Sequence, residues 1–396
     1  MNIFQYLQFE KVDSYALKKF QDQINQKKLV ISSYSVQSLT FVEQFDIDDL
    51  ILSFCSNIQF TDVPKNIFKL MCANCSLLNV DGIQQMKQLT ALSLYMNQIN
   101  NINILSQLTN LASLDVSCNE VSDISALGQM AQLKQLALAD NKITDISSLS
   151  KLVNLQELRL GCNKISDIQP LSSLSNLTYL SLYENSIKDI SFLSSLINLT
   201  ELQLNGNKIT SIEPLNSLIN LKTLFLCSNQ ISDVNAISHI LKLQNLYLNN
   251  NEIVDVSCLQ ALKNLQQLFL QVNKIIHIHK LKYMSNLVLL NVSKNYLTDT
   301  SFTVYNLNEL SNLLAQLKNG GKLKPQVQKL FQYYAEEQNQ PTKREIFFSN
   351  LLSEITFMNE EKLKMKKNTL KCGQNLKNLK KLLNNWFKTR INNYFA

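Results

Sequence analysis

The side chains able to do covalent or metal chemistry in this 396-residue chain are few: 8 Cys, 3 His and one Gly320-Gly321-Lys322 segment. Cys72 and Cys75 have the spacing of half a zinc or dithiol site, but zinc needs four convergent ligands and no second pair follows at suitable spacing. His277 and His279 alternate along one segment, with His239 the third histidine. Two imidazoles without a carboxylate or thiolate in register are a weak metal signal. Gly320-Gly321-Lys322 lacks the rest of a phosphate-binding loop, and no nucleophile elbow occurs. The chain therefore reads as a non-enzyme without cofactor or metal, whose function is to be sought in a binding surface.

Composition agrees with a folded binder. Hydrophobic residues make up 45% and charged residues 17%, with only 7 Gly and 5 Pro, which excludes a highly charged disordered chain and a collagen-like or linker-rich one. The net charge of +7 is uneven: from Glu360 onward 10 Lys/Arg face 2 Asp/Glu, a balance of +8, which leaves 28 against 29, or −1, for residues 1 to 359. The body is neutral and the tail is basic. Residues 1–20 contain no continuous apolar run of the secretory kind, no segment reaches the roughly 18 apolar residues of a membrane span, and the cysteine content is too low for a disulfide scaffold. These features predict an intracellular protein, cytoplasmic or nuclear and not secreted, so the sequons at Asn74, Asn176, Asn198 and Asn291 read as accidents of sequence pattern.

The elements that position these residues repeat every 22 positions. Asn97, Asn119, Asn141, Asn163, Asn185, Asn207, Asn229, Asn251, Asn273 and Asn295 each lie in the pattern L-x-x-L-x-L-x-x-N-x-I, as in Leu155, Leu158, Leu160, Asn163 and Ile165. Two weaker copies precede them, Ile47, Leu50, Leu52, Cys55 and Ile67, Leu70, Cys72, Cys75, so about twelve repeats run from Ile47 to Asp299. Cys72 thus fills an inward Leu slot and Cys75 the Asn slot. The two Leu of L-x-L share one face of a short strand and the residue between them faces outward. Parallel pairing at about 4.8 Å per repeat makes an arc of roughly 55 to 60 Å. The ladder Asn suits the unpaired backbone groups where the chain leaves the strand. Cys118 and Cys162, at equivalent positions two repeats apart, fall roughly 10 Å from each other, too far for a relaxed disulfide.

On these motifs the chain resembles the leucine-rich repeat family, specifically its 22-residue subclass, and is similar to the nuclear protein phosphatase 1 regulators and to bacterial internalins. Asp123, Asp145, Asp167, Asp189, Asp233 and Asp255, each four residues after its Asn and followed by Ile or Val, belong to the subclass pattern and can cap a short convex turn. The resemblance covers about two thirds of the chain. It implies an α/β solenoid, a curved parallel sheet with an N-terminal cap and a helical C-terminal tail. In the phosphatase regulators a concave face of mixed acidic and aromatic residues receives the phosphatase catalytic subunit.

The outward column between the paired Leu reads Ser93, Asp115, Ala137, Arg159, Ser181, Gln203, Phe225, Tyr247, Phe269 and Asn291. Phe225, Tyr247 and Phe269 are expected as a contiguous exposed strip, either anchoring a partner or packing on one another to stiffen the sheet. Neighbouring outward columns add Tyr95, Tyr179 and Tyr183 with Asp140, Glu157, Glu184 and Glu201, so that with Asp115 an acidic zone interrupted by Arg159 occupies the first half. An acidic and aromatic surface suits a partner with a basic rim and an apolar knob.

Both ends of such an array need closing. Residues 1–46 read as the N-terminal cap, 47–300 as the solenoid and 301–396 as a helical cap and tail. In the tail, Leu307, Leu310, Leu314 and Leu317 recur at helical spacing, Thr342-x-x-Glu345 reads as a capping box, and the last segment carries an apolar stripe including Trp386 beside Lys377, Lys380, Lys381 and Lys388. That helix packs as a cap, or contacts an acidic membrane surface or a calmodulin-like protein; nucleic acid ranks last. The resulting expectation is a monomeric, non-catalytic protein-binding scaffold or regulatory subunit, its partner a phosphatase catalytic subunit on the resemblance. The alternative is a peripheral membrane or cytoskeletal adaptor attached through the tail.

Overall fold

The computed structural model describes residues 22–23, 26–32, 39, 42–43 and 45–298. Within them thirteen strands form one open, curved, wholly parallel sheet in chain order, each strand pairing with the next. They are β1 (Lys28–Ser32), β2 (Asp49–Ser53), β3 (Lys69–Ala73), β4 (Ala91–Ser93), β5 (Ser113–Asp115), β6 (Gln135–Ala137), β7 (Glu157–Arg159), β8 (Tyr179–Ser181), β9 (Glu201–Gln203), β10 (Thr223–Phe225), β11 (Asn245–Tyr247), β12 (Gln267–Phe269) and β13 (Leu289–Asn291). Short 3-10 turns such as Ser147–Lys151 and Ser191–Ser195 form the return path of each repeat. The fold is a leucine-rich repeat solenoid.

Twelve strands were expected, and the thirteenth is β1, inside the segment read as the N-terminal cap. Its Leu29 and Ile31 are buried and pair in register with Leu50 and Leu52 of β2. The alternation of Lys28–Ser32 extends the sheet although the ladder residue and the rest of the motif are missing. The expected tail helices, and with them Lys377, Lys380, Lys381, Trp386 and Lys388, lie outside the described residues.

Period-two burial explains the strands. In β7, Leu158 is buried between the half-exposed Glu157 and Arg159, and the following Leu160 returns to the core. Every described repeat adds its Leu and Ile to one continuous apolar stack, which offsets the ordering entropy that no single repeat could meet alone.

Hydrogen bonds close the corners. The Asn185 Oδ1 accepts from the Ile165 N–H at 2.9 Å, while its Nδ2 donates to the Leu160 and Leu182 carbonyls at 3.0 and 3.1 Å. Cys75 and Cys55 do this more weakly: Cys75 Sγ donates to the Leu52 and Ala73 carbonyls at 3.5 and 3.4 Å, and Cys55 Sγ to those of Ile31 and Ser53 at 3.5 Å. Each Asp of the subclass pattern accepts from the backbone N–H two residues on, at 2.7–2.8 Å, at the entry to its 3-10 turn.

Two recurrent features had no counterpart in the motif reading. A second asparagine ladder runs along the return path, where Asn154, Asn176, Asn198, Asn220 and Asn264 donate Nδ2 to a carbonyl of the preceding repeat at 2.8–2.9 Å. Two of the four sequon asparagines, Asn176 and Asn198, are thereby engaged. The residue before each ladder Asn is left-handed: Met96, Cys118, Asp140, Cys162, Glu184, Ser228, Asn250, Val272 and Lys294 have φ of 51–58°, and Gly206 has 68°. This turn aims the backbone N–H at the next repeat, as in Asp140 N to Gly161 O at 2.8 Å, against a steric cost of about 1–2 kcal/mol for a residue with a Cβ. Val272, being β-branched, carries the greatest strain.

Candidate functional site

On the concave face, Asp115, Asp140, Arg159 and Tyr183 come together with Tyr95, Cys118 and Cys162 around a groove of about 500 Å³. Its lining includes the small side chains Ala137 and Ala139. Strands β5 to β7 hold the outward column in register, Asp115 beside Ala137 and Ala137 beside Arg159, and two positions further on the small Ser117, Ala139 and Gly161 follow one another at the 22-residue spacing.

Tyr183 forms one wall. Its ring lies against Gly161, where a Cβ would overlap Cε1, Cδ1 and Cζ of the ring; the missing side chain lets Tyr183 lean toward the groove. The tyrosine hydroxyl meets the Cys162 thiol, and burial is the main cause that pushes both the phenol and the thiol above their ordinary values. Tyr95 stands at the opposite end, 40% exposed. Its hydroxyl is held protonated to higher pH first by the hydrogen bond to Cys118, and the Cys118 thiol is itself pushed up by partial burial and by a hydrogen bond to Asp140.

The charges divide into two sets. Arg159 pairs with Glu157, Nη2 to Oε2 at 3.2 Å, and its guanidinium carbon lies 4.7 Å from the Tyr179 ring centre, so Glu157 and Tyr179 serve to hold Arg159. Asp115 accepts from the Ser117 N–H at 2.9 Å. Glu184 and Glu201 do not line the groove: the Glu184 carboxylate lies over Gly206, and Glu201 Oε1 accepts from Gln203 Nε2 at 2.8 Å.

The aromatic trio corrects the expectation of an exposed strip. Phe225 and Tyr247 stack with centroids 4.3 Å apart, and Tyr247 and Phe269 at 4.9 Å, each pair within 8° of parallel. Phe269 is 1% exposed and is unavailable as an anchor, while Phe225 and Tyr247 are half-buried. Flat rings at the spacing of adjacent strands cover each other, which is the mutual packing alternative. Tyr247 also donates its hydroxyl to Gln267 Oε1 at 3.1 Å.

The histidine reading needs a second correction. His277 does have a carboxylate in register, because Asp255 is its bridge partner on the neighbouring repeat; His277 stands where earlier repeats carry Asp. Among the described residues no three His, Cys, Asp or Glu side chains converge as a metal site. Among the described residues no cysteine is in a disulfide, Cys118 and Cys162 included. The motif reading considered those two only as a disulfide pair, listed Ala137 in the outward column without giving it a role, and did not name Ala139 or Gly161. The signal that could have found them is the column before the ladder Asn, where Cys118, Asp140, Cys162 and Glu184 succeed one another.

This arrangement is that of a leucine-rich repeat solenoid with a chemically differentiated concave face. Residues 131–173, 175–217 and 197–239 match the family described as Leucine Rich repeats (2 copies). Among solved structures the chain is similar to an internalin, InlF of Listeria monocytogenes, with 29% identity over 76% of this chain and 89% of that one and a TM-score of 0.67. It also shares its fold with the functional domain of InlJ from Listeria monocytogenes, described as including a cysteine ladder, at 21% identity over 70% of this chain and 66% of that one with a TM-score of 0.56. No curated protein sequence matches the chain.

Proposed function

We propose that this chain is a non-catalytic interaction scaffold that binds a partner protein in the concave groove between Tyr95 and Tyr183. One observation carries the reading: between two tyrosines the concave face forms a groove lined by the small Ala137 and Ala139 and by Asp115 and Asp140. The repeat fold itself does not need such a groove. A hydrogen-bonded parallel sheet is preorganised, so association spends little free energy on ordering the binder, and the tyrosines offer rigid amphipathic contact area. A phosphatase catalytic subunit is the first candidate partner, on the resemblance to the phosphatase regulators. The aromatic stack from Phe225 to Phe269 supports the face from beside the groove.

The test is a quantitative pull-down from native lysate comparing the wild type with Ala137→Trp, which fills the groove without altering its charge. Large outward residues already occupy this column at Arg159 and Phe225, so the variant is expected to fold. A protein enriched by the wild type and lost with the variant supports the reading, and its mass spectrum identifies it. Identical recovery with both baits sinks it.

A further inference from the structure

The groove carries a near-symmetric arrangement that narrows the chemistry of its occupant, on the premise that the concave face is the binding face. Cys118, Asp140 and Cys162 occupy equivalent positions on three successive repeats, with Tyr95 one repeat before and Tyr183 one repeat after. Each tyrosine hydroxyl meets the nearer thiol, Tyr95 with Cys118 and Tyr183 with Cys162, so both rings lean toward Asp140 at the centre. Four repeat steps at about 4.8 Å put the two tyrosine backbones roughly 19 Å apart. The inward lean brings the hydroxyls to the two thiols, which two repeat steps place roughly 10 Å apart.

Acidic groups outnumber the one cation in this space, where Asp115 and Asp140 share the lining with Arg159. Arg159 is tied to Glu157 and Tyr179, and among the described residues no ion pair involves Asp115 or Asp140. Two carboxylates flanked by two tyrosines complement a planar cation. A guanidinium accepts both ring faces and carboxylates, whereas an ammonium is a compact, strongly hydrated charge. We propose that the groove seats an extended, arginine-bearing segment of the partner, with one guanidinium held between Tyr95 and Tyr183 and paired to Asp140 and Asp115.

The experiment titrates the full-length chain by fluorescence anisotropy at low salt with three labelled hexapeptides, identical except that alternate residues are arginine, citrulline or glutamate. The arginine peptide is expected to bind, and its affinity to fall at least tenfold in Asp140→Asn and Asp115→Asn and with the citrulline replacement. The glutamate peptide should not bind, and Glu252→Gln, remote from the groove, should behave as wild type. Asp140→Asn suits the test because Asn tolerates the left-handed φ of 54° at this position, and thermal unfolding confirms that each variant folds. Failure of the arginine peptide to bind the wild type, equal binding of arginine and citrulline peptides, or unchanged affinity in the two aspartate variants would each overturn the proposal. The pull-down separates the premises: a partner lost with Ala137→Trp but kept by the aspartate variants leaves the concave-face reading standing and removes the arginine. A partner kept by Ala137→Trp removes the concave-face reading itself.

Discussion

Two neighbouring regions of the concave face share one backbone and one 22-residue period and end in opposite states. Between Tyr95 and Tyr183 the outward columns alternate small, charged and sulfur-bearing side chains and leave a groove. Between Phe225 and Phe269 the same column carries three flat rings that stack at 4.3 and 4.9 Å and seal one another. In-register parallel pairing makes residues 22 apart into neighbours at about the thickness of a ring contact. A run of like aromatics therefore satisfies itself, and a run of unlike residues leaves its chemistry facing outward. An aromatic-rich column on a repeat surface thus marks reinforcement as readily as recognition.

The contrast can be broken most forcefully at its buried end. Phe269→Ala is expected to lower stability by about 3–5 kcal/mol by opening a cavity beside Tyr247, whereas Tyr95→Ala should change it by less than about 0.5 kcal/mol. Urea unfolding of both variants checks this, and comparable losses would erase the distinction between stack and groove. Asn185→Ala should cost about 1–3 kcal/mol by leaving the Ile165 N–H and the Leu160 and Leu182 carbonyls without their partner; an unshifted midpoint would show that the ladder merely decorates the corner. Val272→Gly should raise stability by about 1 kcal/mol by releasing left-handed strain, and Asp140→Gly by less, since a short polar side chain tolerates that conformation. A loss at Val272 would mean that its side chain does more than endure the turn.

The smallest effect sharpens the groove side through pH. Tyr95, Tyr183, Cys118 and Cys162 all keep their protons to higher pH in the folded chain, with Asp140 among the causes for each. A raised folded pKa contributes stability that is complete below the unfolded value and is lost as pH rises through the folded one. Stability should therefore decline above the thiol's ordinary 9.0, and Asp140→Asn should flatten that decline. Unfolding midpoints measured from roughly pH 8 to 10.5 give the slope, and an identical slope in the variant would disconnect Asp140 from the thiol and tyrosine pairs.

Legibility differed sharply between scaffold and site. The Leu and Asn columns are visible as spacing because each repeat must bury the same face and satisfy the same corner, so one 22-residue unit predicts the next. β1 escaped because Lys28–Ser32 keeps only the period-two alternation of Leu29 and Ile31, too short to stand out without the partner strand that buries it. The second asparagine ladder was hidden for another reason: Asn154 and Asn176 sit at polar surface positions where an asparagine signals nothing until the carbonyl it bonds is known. The groove was half legible. Asp115, Asp140, Arg159 and Tyr183 were singled out as outward residues, but the small residues that make room for them were not, since an alanine or glycine carries no chemistry of its own.

The sequence by itself determined the solenoid, its period, its parallel register and which columns face outward, because these depend on the residue's own polarity and its place in the repeat. Only the tertiary structure decided that Phe269 is buried, that Arg159 belongs to Glu157 and Tyr179 and, among the described residues, leaves Asp115 and Asp140 without an ion pair, and that Tyr183 leans over Gly161. Exposure and pairing are properties of what stands one strand away and how far it reaches, and no residue carries that information alone.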